Sequence, residues 1–178
     1  MSTVAGYAGG TTTDPSYHNL VDHTETVKIV YDPDIISYTR LLNIFWNAHN
    51  PKYRIKRQYM SIVFYHDDVQ KQEAMEIKKQ FEDKRGHTLY TDMVQFENFY
   101  PAEEYHQKYY LQNTSKVYKE LRPMYNSFDE FVTSTLVARV NGYIAGGIEM
   151  SSLKDELKDL DVPEENRDKL INVLEKLG

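Results

Sequence analysis

The chain has 178 residues, a length suited to one domain with its own hydrophobic core. Hydrophobic residues make up 40% of the sequence and charged residues 27%, which excludes an intrinsically disordered chain. The 27 acidic residues outnumber the 21 basic ones and give a net charge of −6. Neither a nucleic acid nor an anionic membrane surface is therefore expected as a partner.

The sequence contains no cysteine. This excludes disulfides, thiolate metal sites and a cysteine nucleophile within these 178 residues. No stretch approaches the length and apolarity of a membrane helix, and the first ten residues lack the features of a signal peptide. We therefore expect no membrane association and a cytoplasmic location.

The first part of the chain predicts strands alternating with helices. A strand ends at the pair Gly9-Gly10, and a second strand covers residues 24–31. Helical spacing of apolar residues predicts a helix from an N-cap at Ser37 to about His49. His49 lies on the apolar face of that helix, where a hydrogen-bonded core histidine is expected.

The next segments continue this alternation. Residues 51–57 form a basic loop, which is more typical of a solvated turn than of a nucleic-acid site. Alternating apolar and polar residues predict a strand at 58–65, and residues 88–96 predict another. Between them the pattern predicts a helix from Asp67 or Asp68 to about residue 84.

The remainder of the sequence is predicted to be helical. Helices are expected at residues 101–112, 128–140, 152–160 and 163–177. Three or four strands followed mostly by helices are typical of an α+β fold with a helical C-terminal extension.

The segment from Gly6 to Glu25 contains the strongest candidates for chemistry. His23 and Glu25 are two residues apart, so both side chains share one face of the predicted strand. A carboxyl group buried at that point near the Tyr17 hydroxyl would have a raised pKa and serve as a proton donor. The alternative is a solvated carboxylate at the end of a strand, and on the residues alone this is the commoner outcome.

Two further groups of candidate residues contain histidine. His18, His23 and Glu25 offer nitrogen and oxygen ligands, but their spacing matches no common metal site, so we expect no metal. His106 follows Glu103 by three residues, which indicates either an oriented imidazole or an ordinary surface pair. His23 and His106 remain candidates for substrate binding.

Seven segments, taken together, resemble the A-type peptide methionine sulfoxide reductase family. They occur in the order of that family and near its spacing, and they are Gly-Tyr-Ala-Gly-Gly at 6–10, Asp-Pro-Ser-Tyr at 14–17, His-Thr-Glu at 23–25, Val-Tyr-Asp-Pro at 30–33, the helical run at 41–51, Gln-Tyr at 58–59, and the run Phe-Tyr-Pro-Ala-Glu-Glu-Tyr-His-Gln-Lys-Tyr at 99–109. Several independent motifs in register are far more specific than any one of them.

The resemblance implies a two-layer α/β roll, in which a small mixed sheet is flanked by helices. It implies a reductase-like domain over residues 1–112 and a helical extension over 113–178. It also implies reduction of methionine-S-sulfoxide in proteins and as the free amino acid, a protein-repair reaction under oxidative stress. In that family a glutamic acid protonates the sulfoxide oxygen and two tyrosine hydroxyls bind it. The matching residues here are Glu25 as proton donor, with Tyr17 and Tyr59.

The resemblance also implies a cysteine nucleophile, within a Gly-Cys-Phe-Trp-Gly motif that precedes the turn at 6–10. These 178 residues contain neither that motif nor any cysteine. We therefore expect a family member without the N-terminal segment that carries the nucleophile, inactive as this chain. The alternative is a module that binds methionine sulfoxide without reducing it, or a protein-interaction module.

The family uses thioredoxin or dithiothreitol as reductant and no bound cofactor. Proteins containing methionine sulfoxide are expected as partners, whereas thioredoxin is not expected without a cysteine.

Overall fold

The structure is a computed structural model that describes residues 1–160 and 162–177. The strands are β1 (Ser2–Ala8), β2 (Thr24–Val30), β3 (Ser61–Tyr65), β4 (Thr91–Gln95) and β5 (Phe99–Pro101). The helices are α1 (Tyr38–Ala48), α2 (Asp68–Arg85), α3 (Tyr109–Gln112), α4 (Ser115–Leu121), α5 (Phe128–Thr133), α6 (Thr135–Ile144), α7 (Met150–Lys158) and α8 (Glu164–Glu175). The expected α+β class, with helices in the C-terminal region, is confirmed.

The helix boundaries in the first half follow local capping signals. The Ser37 side chain accepts a hydrogen bond from the Arg40 amide at the start of α1, and Asp67 does the same for the Gln70 amide at the start of α2. Helix α2 ends at Gly86, which adopts a left-handed φ of 70° that favours glycine.

The chain divides into two compact units. One contains Met1–Ala5 and the described residues from Glu103 onward, and the other contains Gly6–Ala102. Strand β1 therefore begins in one unit and ends in the other. The division at residue 112 that the resemblance implies concerns the extent of the family's domain, and it stays a prediction.

The unit of Gly6–Ala102 contains two small sheets. The first has the strand order β2-β1-β5, with β1 and β5 antiparallel and Tyr7 opposite Tyr100. The second pairs β3 with β4 in parallel, from Ser61 opposite Thr91 to Tyr65 opposite Gln95. Helix α2 connects β3 to β4, which is the crossover that a parallel pair requires. The single mixed sheet that the resemblance implies is thus, within the described residues, two separate sheets.

Helices α1 and α2 pack on the parallel pair and form the core of this unit. Its buried apolar residues are Leu42, Trp46, Val63, Ala74, Ile77, Phe81 and Leu89. A series of hydrogen bonds between polar side chains runs beside this core. His49 bonds to the Ser61 hydroxyl, Ser61 bonds to the Thr91 hydroxyl, and Thr91 accepts from the Trp46 indole. The second ring nitrogen of His49 lies 2.7 Å from the Phe45 carbonyl. The expectation of a hydrogen-bonded histidine at residue 49 is confirmed.

The other unit is built around the first half of β1 and the C-terminal helices. Its core residues include Leu111, Val117, Leu121, Phe131, Val137, Val140, Leu153, Leu157, Leu170 and Leu174. The side-chain amide of Gln107 accepts a hydrogen bond from the backbone N–H of Ala5 and donates one to the Ala5 carbonyl, each at 2.9 Å. The Lys108 ammonium donates to the carbonyl and hydroxyl of Thr3. These two side chains therefore hold the backbone of β1 in place of a neighbouring strand.

The continuous helix expected over 101–112 is wrong. Pro101 ends β5, a single 3₁₀ turn covers Glu104–His106, and α3 begins only at Tyr109. Lys108 has a left-handed φ of 48°, which no regular right-handed helix accommodates. Its hydrogen bonds to Thr3, distant in sequence, offset the cost of that conformation.

The continuous helix expected over 128–140 is also wrong. Ser134 adopts an extended backbone with a ψ of 134°, which ends α5. The Ser134 side chain then accepts from the Val137 amide and caps α6. A serine N-cap inside an apolar helical pattern accounts for the break.

Stability is expected to depend on pH through Lys108. Burial lowers the pKa of the Lys108 ammonium to about 8, from an ordinary value near 10.5. Between pH 8 and pH 10.5 the unfolded chain binds more protons at this residue, so its contribution to the free energy of unfolding rises with pH. Relative to a Lys108→Met variant, the protein should gain on the order of 2 kcal/mol over this interval. Urea unfolding at both pH values measures the difference, and a gap that stays constant contradicts the assignment.

Candidate functional site

The loop between β1 and β2 is fastened by the buried imidazole of His23. One ring nitrogen lies 3.3 Å from the amide of Gly10, which donates to it, and the other lies 2.8 Å from the Thr12 carbonyl. The ring also packs edge-on against Tyr100 of β5, with ring centroids 5.4 Å apart. A Cβ at Gly10 would come within 2.5 Å of the His23 ring, so only glycine fits there. In this arrangement both nitrogens of the candidate substrate-binding residue His23 serve the backbone of the loop.

Asp22 and Arg57 form hydrogen bonds that hold the same loop on its exposed side. The amide and hydroxyl of Thr11 both donate to the Asp22 carboxylate at 2.8 Å, and these bonds lower the pKa of Asp22 to about 2. The Arg57 guanidinium donates to the carbonyls of Gly9 and Asp22. The basic loop at 51–57 therefore supplies a structural clamp, which its composition did not indicate.

The start of β2 is tied to the 3₁₀ turn Arg57–Tyr59. The Thr24 hydroxyl donates to the Arg57 carbonyl at 3.0 Å. One residue further along each segment, the Gln58 amide donates to Glu25 Oε1 at 2.9 Å. These bonds place Tyr59, the last residue of the turn, next to Glu25.

Tyr17, Tyr59 and Glu25 come together at this point. A hydrogen bond to Tyr17 raises the pKa of Tyr59, and burial and the nearby Tyr17 and Glu25 add to this shift. Tyr59 is 51% exposed and Tyr17 is half-buried. The structure therefore joins three residues that are up to 42 positions apart in sequence, from Tyr17 to Tyr59.

Glu25 is exposed, which is the solvated carboxylate that the residues alone favoured and not the buried proton donor. Its neighbour Thr24 is the buried residue at the start of β2, which leaves Glu25 on the outer side of the strand. Gln58 is the site residue that sequence reasoning missed. Because Gln58 holds Oε1, a proton on this carboxyl group would sit on Oε2.

A cleft of about 630 Å³ opens beside the site within the same unit. Glu25 and Tyr59 lie at its wall. Most of the remaining wall is apolar and includes Val27, Ile29, Leu41, Phe45, Ile62 and Phe99. Polar hydroxyl and carboxyl groups at one part of an apolar cleft are typical of a site that binds a polar head on an apolar chain.

His106 lies in the other unit, where its Nε2 is 3.9 Å from a carboxylate oxygen of Glu103. The i,i+3 pair expected from the sequence is therefore present, while its role in substrate binding stays a prediction. Within residues 1–160 and 162–177 no three histidine, aspartate or glutamate side chains are grouped as metal ligands. The same residues contain no helix long and apolar enough to cross a bilayer.

The contact between the two phenols can be tested by titration. In a Tyr17→Phe variant, Tyr59 loses its hydrogen-bond acceptor, so the pKa of Tyr59 should fall toward that of an ordinary tyrosine. Chemical shifts of ring-labelled tyrosine followed from pH 8 to about 12 measure this change. Tyr53→Phe is the matched control, since Tyr53 is 77% exposed in the adjacent loop. A Tyr59 titration unchanged by Tyr17→Phe would show that the phenols do not meet.

Comparison with known proteins gives the family of this chain. The family model described as peptide methionine sulfoxide reductase matches residues 1–138. A protein of that name from Drosophila melanogaster is 42% identical over 166 residues, which cover 90% of this chain and 66% of the fly protein. One from Methanococcoides burtonii is 38% identical over 122 residues, covering 62% of this chain and 80% of the archaeal protein.

The fold gives the same result. The crystal structure of reduced Mxr1 from Saccharomyces cerevisiae superimposes with a TM-score of 0.59 and 30% sequence identity, covering 63% of this chain and 71% of the yeast chain. The chain described here spans about two thirds of the length of its fly relative. The match over residues 1–138, together with the shared fold, shows that the chain belongs to the A-type peptide methionine sulfoxide reductase family.

Proposed function

We propose that these 178 residues form the oxygen-binding side of a methionine-S-sulfoxide site, with Glu25 as the proton donor and Tyr17 and Tyr59 as hydroxyl donors. The observation that carries the proposal is the meeting of the two phenols beside Glu25. A sulfoxide oxygen placed between the phenols exchanges one phenol–phenol bond for two O–H···O bonds. The apolar cleft wall beside Glu25 suits the methionine side chain.

Gln58 is a positioning residue in this proposal. By donating to Oε1 of Glu25 it directs the other carboxyl oxygen, and any proton on it, away from the amide. A neutral carboxylic acid can give a proton to an S=O oxygen, whereas a carboxylate can only repel it. The side chain of Gln58 therefore selects which oxygen of Glu25 acts as the donor.

Removal of the sulfoxide oxygen also needs a reductant. In the family's reaction a thiolate attacks the sulfoxide sulfur, gives two electrons, takes the oxygen as a sulfenic acid and leaves methionine. Neither tyrosine nor glutamate can act as this nucleophile, because neither forms a sulfenic acid that a second thiol reduces. With no cysteine among its 178 residues, this chain is proposed to hold a sulfoxide without turning it over.

The remaining expectations fit the same picture and are also proposals. Proteins that contain methionine sulfoxide are the partners that the site favours. Thioredoxin is not a partner of this chain, because its dithiol reduces an oxidised cysteine that is absent here. We propose a cytoplasmic location and no bound cofactor.

The first prediction from this proposal concerns turnover. Incubation of the chain with a methionine-S-sulfoxide peptide and dithiothreitol should give no methionine above the rate without protein, measured by chromatography. The fly relative serves as the positive control. Product formation that Glu25→Gln abolishes would show that a nucleophile other than cysteine completes the reaction.

The second prediction concerns binding. Titration calorimetry should show heat with an N-acetylated methionine-S-sulfoxide amide and none with the methionine amide, since only the sulfoxide accepts hydrogen bonds at Tyr17 and Tyr59. Tyr59→Phe removes one hydrogen bond of about 1 kcal/mol and should weaken binding about fivefold. Tyr109→Phe, at a 58% exposed position that does not line the cleft, should leave the affinity unchanged. Equal heats for sulfoxide and thioether would contradict the oxygen-binding site.

A further inference from the structure

The contact between Tyr17 and Tyr59 joins two phenols from distant parts of the chain. Their hydroxyls are hydrogen-bonded to each other, although the two residues are 42 positions apart. Both belong to the unit of Gly6–Ala102. Two phenols in direct contact are a reactive pair under oxidising conditions, because neighbouring phenoxyl radicals couple to each other through their ring carbons.

Backbone contacts on either side hold this pair together. The Arg57 guanidinium donates to the carbonyls of Gly9 and Asp22, which lie at the two ends of the loop that contains Tyr17. The Arg57 carbonyl in turn accepts from the Thr24 hydroxyl, two residues before Tyr59. Groups that a fold holds in contact react at an effective concentration far above that of two separate chains in solution.

An oxidant in solution can reach the pair through Tyr59. This residue is 51% exposed, whereas Tyr17 is half-buried. Because the two hydroxyls share a hydrogen bond, a radical formed at Tyr59 can take the hydrogen atom of the Tyr17 hydroxyl. An oxidant that meets only Tyr59 can therefore oxidise both phenols in turn.

Other neighbouring tyrosines differ from this pair in exposure or in sequence separation. Tyr7 lies opposite Tyr100 in the pairing of β1 with β5, but Tyr7 is only 2% exposed and is shielded from an oxidant. Tyr109 and Tyr110 are both exposed, with ring centroids 5.7 Å apart. They are adjacent in sequence, so a bond between them would join no distant segments of the chain.

We propose that Tyr17 and Tyr59 form a site of oxidative modification, at which hydrogen peroxide and a one-electron oxidation catalyst of the haem peroxidase class couple the two rings into a dityrosine cross-link. Each phenol loses one electron and one proton, and the two radicals form a carbon–carbon bond between ring positions next to the hydroxyls. The hydrogens on those two carbons then move to the oxygens and restore both phenols. The two electrons and two protons released reduce one hydrogen peroxide to two waters.

The cross-link also closes the oxygen-binding site, a consequence that rests on the proposed function. A sulfoxide oxygen has to enter between the hydroxyls of Tyr17 and Tyr59, and a bond between the rings fixes them against each other. Peroxide, which converts methionine to its sulfoxide, therefore also removes the ability of this chain to bind that sulfoxide. Conversely, a bound sulfoxide separates the two phenols and slows their coupling.

The test treats the full chain, at low concentration, with hydrogen peroxide and a haem peroxidase. The chain should gain the blue fluorescence of dityrosine while it stays a monomer on a denaturing gel. Trypsin should then release peptides 1–28 and 58–71 joined to each other, and fragmentation should place the bond at Tyr17 and Tyr59. The absence of a cross-link, a bond between other tyrosines, or cross-links only between chains would overturn the proposal.

Matched variants show whether the contact, and not exposure alone, determines the product. Tyr17→Phe and Tyr59→Phe should each lower the yield of cross-linked monomer at least about tenfold, since the remaining phenol has no partner held beside it. Tyr53→Phe, at a 77% exposed position, and Tyr109→Phe should leave the yield unchanged. An unchanged yield in Tyr59→Phe would overturn the proposal. The peptide map of the unaltered chain does not depend on whether any variant folds.

A competition experiment separates this proposal from the proposed function. An N-acetylated methionine-S-sulfoxide amide, added before the peroxidase, should slow the cross-linking of Tyr17 to Tyr59, and the alcohol analogue of the same size, which consumes no peroxide, should not. Cross-linking at an unchanged rate in the presence of the sulfoxide would support the modification site and contradict the oxygen-binding site. Failure of the one proposal is therefore distinguishable from failure of the other.

Discussion

The buried imidazole of His23 is the interaction on which the candidate site depends. It binds backbone groups of Gly10 and Thr12 and packs against Tyr100, so it fastens the loop to the sheet of β1 and β5. Together with the bonds from Arg57 to the Gly9 and Asp22 carbonyls, that fastening keeps the loop close to the turn at residues 57–59. His23, which is fully buried, therefore acts on the backbone, while the candidate residues Glu25 and Tyr59 are exposed.

A second set of contacts determines how the candidate site residues are placed relative to this loop. Arg57 holds the carbonyls of Gly9 and Asp22, and Thr24 holds the Arg57 carbonyl in return. The next residues along the two segments, Glu25 and Gln58, are thereby brought within hydrogen-bond distance. The contact between Glu25 and Gln58 thus follows from the hydrogen bonds of the preceding residues, Thr24 and Arg57. Substitutions at Thr24 or Arg57 should therefore alter the geometry of the site.

The sequence predicted the elements whose signals are local. The caps at Ser37, Asp67 and Gly86 fixed α1 and α2, and alternation located β3. It failed at Lys108 and Ser134, where the outcome depends on a contact distant in sequence and on a cap hidden in an apolar run. Helix propensity depends only on nearby residues, so it could not predict that Lys108 bonds to Thr3, more than a hundred residues earlier.

The candidate site shows the same division between local and distant information. The resemblance pointed to Tyr17, Glu25 and Tyr59, and the structure brings them together. The residues alone favoured a solvated Glu25, and the structure agrees, because Thr24 faces inward with its hydroxyl bonded to the Arg57 carbonyl and Glu25 faces outward. Gln58 belongs to a segment that carries the resemblance, but its hydrogen bond to Glu25 was not predicted, since an amide next to a tyrosine is ordinary until Glu25 is known to lie beside it.

The proposed oxygen site and the absence of a thiol concern two separate parts of one reaction. The groups proposed to bind the sulfoxide oxygen are held by contacts within residues 6–102. In the proposed function the electrons for reduction would come from a thiol, and these 178 residues contain no cysteine. In the proposed function, oxygen binding and electron supply are therefore separate, and measuring sulfoxide affinity and sulfoxide turnover independently distinguishes the two.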